Sequence, residues 1–312
     1  MVTVRDFSAW KVYEGAAEGS GRSEKIWLVS EQGDVGLFKF PKIDPTTQRE
    51  TTEHVSEHLA HQLGKLLKVD TARVEIGIYQ GRPGSMSYLI GEPGEILVEG
   101  IGFMSGLYPR YDADRMIDTD SGTYYCMEQI FRSTCKVVPR EGWLEMMVFD
   151  FLIGNADRHQ SNWAILKRVG IPGQGGRQVR RCPLYDNGSS LCCYVNDSQL
   201  DRMFGSDPGP FRALSDTKSR SVIRIDGSSK TLPRHRAVVE YLLRKYPETL
   251  GICERFLKKV KGEALDELMS MYPPEILSEK KNELIRRILK RKAEILDTLV
   301  EEGERNGAGQ KR

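Results

Sequence analysis

The sequence predicts an α+β chain in two lobes: a small β-rich N-terminal lobe with one main helix, then a larger, mostly helical C-terminal lobe. Three features carry that prediction. Residues 25–29, 35–40, 73–79 and 85–90 alternate apolar and polar side chains, the period of half-buried strands. From Glu95 onward the composition turns helical, and segments such as 141–153 repeat their apolar residues every three or four positions. Two apolar segments each deliver a carboxylate into a polar turn, at Asp157 and at Asp186. The 312 residues suit one large two-lobed domain or two ordinary ones, and the pattern divides them into 1–91, 92–303 and a disordered tail at 304–312.

In chain order, Phe7, Trp10, Val12 and Tyr13 suit an edge strand. The loop Gly19-Ser20-Gly21-Arg22-Ser23 has two glycines of a phosphate-cradling pattern but not the third; it either exposes backbone N–H groups to an anion or is a plain turn. Lys25–Val29 and Val35–Phe40 form a hairpin about Glu31–Asp34. Lys39 lies in its second strand between Phe38 and Phe40, so its ammonium either meets an anionic partner or snorkels from an edge. A helix follows, opened by a Thr47-x-x-Glu50 capping box and running to about Gly64. Glu53 falls just outside its apolar arc of Val55, Leu59 and Leu63, with Glu50 and Glu57 further round. That makes Glu53 the acid best placed to pair with Lys39. A second hairpin, 73–79 with 85–90, runs through Ser87, Tyr88 and Leu89 into the hinge-like Gly91-Glu92-Pro93-Gly94.

In the second lobe, residues 102–122 read as irregular or short helices. Glu141–Ile153 is a buried helix carrying Trp143, Met147 and Phe151 on one stripe. Its end projects Asn155–Asn162 as a rigidly mounted loop. Strands 163–167 and 179–185, joined across a Gly-rich connection at 170–176, return Asp186 toward Asn162. Residues 187–235 are polar and poorly periodic, a docked substrate-binding segment or a linker. Three helices follow at 236–246, 252–271 and 279–302, and the basic run 280–292 reads as a solvated face.

Composition narrows the chemistry. A net charge of +2 with 29% charged residues gives no global sign of a nucleic-acid or membrane partner. Six cysteines without CxxC spacing read as reduced thiols. No apolar run approaches the ~18 residues of a membrane span and the N-terminus lacks a signal-peptide pattern, so a cytoplasmic protein is expected. The segment GFMSG misses the spacing of a hydrolase nucleophile elbow. The set Asp157, Asn162 and Asp186 supplies hard oxygen ligands without a thiolate-imidazole cluster, which suits Mg²⁺. Phosphoryl transfer asks for an Asp that orients the hydroxyl nucleophile, with an Asn and a second Asp on the metal. His159 lacks companions at metal-ligand spacing and is assigned to bracing the loop, as is Arg158.

The run GNADRHQSN at 154–162 resembles the catalytic loop of the HipA-like serine/threonine kinases, and LYDNGSSL at 184–191 resembles their metal-binding segment. Lys39-Phe40-Pro41 also matches their pattern. The resemblance covers residues 18–195 and implies a bilobal protein-kinase-like fold and an ATP- and Mg²⁺-dependent kinase. In its terms Asp157 is the catalytic base, Asn162 and Asp186 hold the metal, and Lys39, held by Glu53, meets the nucleotide phosphates. Ser20, Gly21, Arg22 and Ser23 form the phosphate-facing loop, where Ser20 and Ser23 are candidates for autophosphorylation; Ser87, Tyr88 and Leu89 face the adenine through backbone groups. The chain is short before Lys39, as in the stand-alone members of the CtkA type. The implied partners are a protein substrate with a Ser or Thr hydroxyl and an antitoxin or regulator of a toxin-antitoxin module. Phosphatidylinositol kinases also carry DRHxxN before a metal-binding Asp, and an ATP-binding pseudokinase is the remaining alternative.

Overall fold

The computed structural model describes residues 1–15, 24–169 and 179–309. Ser20, Gly21, Arg22 and Ser23, and the Gly-rich connection 170–176, lie outside the described residues. The first part of the chain folds into a six-stranded sheet flanked by one helix. Its elements are β1 (Arg5–Asp6), β2 (Lys11–Val12), β3 (Lys25–Val29), β4 (Val35–Lys39), α1 (Glu53–Leu67), β5 (Val74–Tyr79) and β6 (Arg82–Tyr88). The strand order is β1-β5-β6-β4-β3-β2, with β1 parallel to β5 and the other neighbours antiparallel.

Alternation divides the residues of β4 between two environments. Phe38 joins Phe7, Trp10, Leu28, Phe40, Tyr79 and Met86 in an aromatic core on one face. The rings meet edge to face, Phe7 with Phe38 at 5.9 Å and Phe38 with Phe40 at 5.2 Å. Lys39 therefore points to the other face, paired across the sheet with Ser85. The residues of α1 belong to a different and larger core: Val55, Leu59, Leu63 and Leu67 cluster with Ile76, Trp143, Leu184 and the C-terminal helices.

The capping box predicted at Thr47 and Glu50 does not form. Asp44 instead takes the amides of Thr46 and Thr47 on its own carboxylate at 2.7 and 3.0 Å, and Gln48 follows at a φ of 54°, off the helical path. The helix starts at Glu53 and ends in a left-handed Lys68.

The second part holds β7 (Glu95–Glu99), α2 (Gly100–Leu107), β8 (Tyr111–Asp112), β9 (Ile117–Asp118), β10 (Thr123–Tyr124), α3 (Met127–Thr134), α4 (Glu141–Ile153), β11 (Ala164–Arg168) and β12 (Val179–Arg181). It continues through α5 (Asp197–Met203), α6 (Gly209–Arg212), a π-helical turn Ala213–Thr217, α7 (His235–Lys245), α8 (Thr249–Val260), α9 (Glu263–Ser270) and α10 (Glu279–Gly309). The predicted return hairpin is present as β11 and β12, with Ile165 opposite Arg181. Strand β7, unpredicted, joins its other edge, and 111–124 form a three-stranded meander rather than irregular chain. The pattern read over 252–271 breaks at Gly262, whose extended backbone separates α8 from α9. Helix α10 continues beyond the predicted 302, since propagation past a formed turn is cheap.

Helix α4 is buried on all sides, Met146–Ile153 without exception, and packs against α7, α8 and α10. The basic run of α10 is not wholly solvated. Lys281 and Lys292 are buried, at 3% and 1% exposure. All six cysteines are free thiols. Among the described residues no helix is long and apolar enough to cross a membrane.

Gly84, in β6, marks how closely β4 and β6 approach. A Cβ there would stand 2.5 Å from both the Lys39 carbonyl oxygen and the Phe38 ring. Gly84→Ala is expected to cost about 1–3 kcal/mol through overpacking, read as a lower urea midpoint; an unchanged midpoint would contradict this packing.

Candidate active site

Helix α4 stops because Gly154 takes a φ of 69°, which turns the chain into the loop while its N–H still reaches the last turn of carbonyls. The loop is then tied back on itself. The Asn155 amide donates to the Asp150 carbonyl at 2.9 Å, and its side-chain NH₂ donates to the Asp150 carboxylate at 3.2 Å. The Asn155 side-chain oxygen takes the Asp157 amide at 3.0 Å. The Asn162 side-chain NH₂ donates to the Asp157 carbonyl at 2.7 Å. His159 braces the turn by accepting the Ser161 amide on Nδ1 at 3.2 Å.

Arg158 locks this loop to everything around it. Its Nε and one terminal nitrogen donate to the two oxygens of Asp150, at 3.0 and 2.8 Å. The other terminal nitrogen donates to the carbonyls of Asn162 and Tyr185, both at 2.7 Å, and the first also reaches Asn187 Oδ1 at 2.6 Å. The side chains of Arg158 and Asp150 are 1% and 5% exposed. Burial opposes the Arg158 charge, but Asp150 outweighs it and holds the guanidinium above its usual range.

The segment carrying Asp186 is fixed from both sides. Leu184 donates its amide to the Asp70 carbonyl and accepts the Ala72 amide, each at 2.9 Å. The Asn187 amide donates to Glu57 Oε1 at 2.8 Å. Between these anchors Asp186 itself sits at a φ of 56°, a left-handed conformation that costs a non-glycine residue energy and that clusters at functional sites.

Lys39 donates from Nζ to Asp186 Oδ1 at 2.9 Å. Burial works against its charge, but Asp186 and then Glu57 raise its pKa well above the ordinary value. Burial would also push Asp186 up, and Lys39, with Arg158 and His159, more than reverses it. Asp157 is different. The cleft walls desolvate its carboxylate and raise its pKa although the residue is open to solvent, Asp186 adds to the rise, and His159 opposes it. Among the described residues its carboxylate is in no hydrogen bond, and it stands exposed at the cleft. Asp157, Asn162, Asp186 and Lys39 are thus brought together.

Glu53 is not part of that group in the way predicted. Its carboxylate takes the Lys42 ammonium at 2.9 Å, the Lys42 amide at 3.0 Å and the Tyr194 hydroxyl at 2.7 Å. The acid that faces Lys39 from α1 is Glu57, one turn on, at 3% exposure. Sequence reasoning misses it because a wheel centred on the apolar arc puts Glu57 outside, whereas the polar cleft wall buries it. The i+4 spacing from Glu53 is the available signal. Ser87 lies in β6 opposite Leu37. The Tyr88 ring turns to the outer aromatic core, and its amide donates to the Arg73 carbonyl at 3.0 Å. Leu89 donates its amide to the Val35 carbonyl at 2.8 Å.

The sequence matches no protein-family model and no curated protein. The structure is similar to that of the Helicobacter pylori proinflammatory kinase CtkA, with a TM-score of 0.77 at 16% identity, over 96% of this chain and 99% of that one. It is also similar to HipA of the Shewanella oneidensis MR-1 toxin-antitoxin system, solved with HipB and operator DNA. There the TM-score is 0.54 at 14% identity, over 95% of this chain and 67% of the other. The chain has the bilobal, HipA- and CtkA-like kinase fold, with a curled β-sheet lobe and a helical lobe.

If the Arg158–Asp150 pair is the clamp these bonds describe, Arg158→Met and Asp150→Asn should each cost about 3–5 kcal/mol by leaving a buried group uncompensated. The double variant should cost less than the two together, in denaturant unfolding. Strictly additive losses would mean that the two groups do not work as a unit.

Proposed function

We propose that the chain is an ATP- and Mg²⁺-dependent serine/threonine protein kinase of the HipA/CtkA type that also phosphorylates itself. The observation that carries this reading is the exposed carboxylate of Asp157, unpaired among the described residues, beside Asn162 and the Lys39–Asp186 pair. The donor chemistry fits the metal: Asp186 offers a carboxylate and Asn162 a side-chain oxygen, because its NH₂ is committed to the Asp157 carbonyl. A magnesium site of this type takes one or two protein oxygens and completes itself with phosphate and water. Bound Mg²⁺-ATP would supply the phosphoryl group.

The residues then divide the work. Asp157 accepts the proton of the acceptor hydroxyl and aligns its oxygen, and its raised pKa makes it a better base than a solvated Asp. Asn162 fixes the Asp157 backbone while presenting its oxygen to the metal. Asp186 binds the metal, and Lys39 neutralises phosphate oxygens, with Glu57 sustaining its charge. The lobes meet at the hinge 91–94, giving the divisions 1–91 and 92–303. The backbone of Ser87–Leu89 leads into that hinge on the adenine side. Ser20, Gly21, Arg22 and Ser23 belong to the phosphate loop, with Ser20 or Ser23 as self-modification sites. Because the similar HipA was solved with HipB and DNA, an antitoxin-like regulator is a partner to seek in the cytoplasm.

Intact mass after incubation with Mg²⁺-ATP tests the reading. Wild type should gain phosphate and Asp157→Asn should not, while Asp186→Asn should lose Mg²⁺-dependent nucleotide binding. Equal phosphate uptake by Asp157→Asn would reject the base assignment; nucleotide binding without transfer to any protein or lipid would favour a pseudokinase.

A second expectation concerns pH. An acid whose pKa is raised by folding disfavours the folded state once pH exceeds its unfolded value. Asp157→Asn should therefore be more stable than wild type at pH 7, and that advantage should fade as pH drops below the ordinary carboxylate value. Thermal midpoints across pH would show it; an advantage independent of pH would contradict the assigned shift.

A further inference from the structure

Beside Asp157 lies a cavity of about 470 Å³ between the catalytic loop, the segment after Asp186, the π-helical turn and α10. Among the described residues that line it, the cations are Lys218, Arg220 and Lys292 and the one acid is Asp157 itself. Lys292 is the unusual member. It comes from the basic run of α10, yet it is 1% exposed, and of its three N–H donors one is used, toward Ser219 Oγ at 2.8 Å. The ring of Phe151 lies 4.8 Å beneath the ammonium.

This ammonium is mounted rather than loose. His235 Nε2 is 2.9 Å from the Asn155 carbonyl, which can only accept, so that nitrogen carries the proton. Burial holds His235 neutral by lowering its pKa to about 3, which makes Nδ1 an acceptor for the Ser219 hydroxyl at 3.0 Å. The Ser219 lone pairs are thereby turned to Lys292. Burial lowers the Lys292 pKa to about 7 against the pull of Asp216, so an arriving anion would restore its full charge.

We propose that this cavity is an acidic-residue subsite for the acceptor polypeptide: a carboxylate or phosphomonoester near the acceptor hydroxyl docks on Lys292, with Lys218 and Arg220 completing the cationic wall. The subsite rests on the protein-kinase reading and deepens it, since it specifies the substrate as acidic around the phosphorylated residue. The arrangement suits such a ligand on physical grounds. A buried ammonium with free donors is costly, and a charge-assisted hydrogen bond is the strongest way to satisfy it.

The test uses fluorescein-labelled serine peptides that differ only in carrying Glu, phosphoserine or Gln at one of the four positions on either side of the serine. Binding is read by anisotropy without ATP, and transfer by kcat/KM with Mg²⁺-ATP. Wild type should favour Glu or phosphoserine over Gln about tenfold at the matching position, the worth of one charged hydrogen bond. Lys292→Met should bring the ratio to parity, and the exposed Lys218→Gln should lower it about threefold. Comparing the Glu and phosphoserine arms tells whether the subsite takes a genetically encoded acid or a residue that already carries phosphate. Equal affinity for all peptides, or a preference retained in Lys292→Met, overturns the subsite. Should Lys292→Met not fold, an unchanged ratio in Lys218→Gln overturns it and a lowered one supports it. Transfer without acid preference removes the subsite and keeps the kinase; acid-selective binding without transfer does the reverse.

Discussion

The site depends on one buried guanidinium. Arg158 reaches from the loop after α4 to α4 itself through Asp150, to the far end of its own loop through the Asn162 carbonyl, and to the Asp186 segment through Tyr185 and Asn187. Only a planar group with five fixed donors spans those directions at once, and a lysine in its place would leave several acceptors unpaired. What the clamp achieves is to hold Asp157 and Asp186 close although each is an acid that repels the other. Two carboxylates held close repel each other, and the fold has to carry that repulsion. The buried Asp150–Arg158 pair gives the framework rigidity against it.

The cost is visible in the acids of the cleft. Asp157 carries a raised pKa and, among the described residues, no hydrogen bond to its carboxylate, Asp186 is held in a left-handed conformation, and Glu57 is buried beside Lys39 with its own pKa raised by desolvation. None of these serves stability. They persist because α4, packed on all sides, fixes one end of the clamp, and because the backbone bonds of Leu184 to Asp70 and Ala72 fix the other.

Where an interaction is local, the sequence displays it. Helix α4 is written in an apolar pattern broken after its first turn only by Glu145 and Asp150, and the loop after it concentrates polar residues between two apolar segments. The return hairpin follows from alternation on both sides of a glycine-rich stretch. Interactions set by distant residues are not visible in this way. Strand β7 exists because β11 offers it an edge from far along the chain, and nothing in 95–99 alone distinguishes it from a helix start. The Thr47 box fails to its neighbour Asp44, a competing turn of equal local plausibility. Glu53 looks better placed than Glu57 as long as the apolar arc is the only buried face, whereas the cleft buries a polar one as well. Lys292 is hidden for the related reason that a basic run reads as solvent-facing unless the anionic or cavity-lining partner is known.

The two cores also decide which groups of the cleft are tied together. Helix α1 sits in the sheet lobe by sequence, yet its apolar face belongs to the same core as α4 and the C-terminal helices. Lys39 is carried by a sheet whose outer face has its own aromatic core. Glu57 is therefore tied to the Asp186 segment both by packing and by its bond to the Asn187 amide, whereas Lys39 is joined to that segment chiefly by the ion pair at 2.9 Å. The sheet is not independent of the larger core, since Ile76 of β5 packs there with α1, so the ion pair adds a polar contact across the cleft to an apolar one. The side chains of this ion pair are 20% and 44% exposed, against 1% and 5% for Arg158 and Asp150, so the contact at the cleft is open to solvent while the Arg158 framework behind it is sealed.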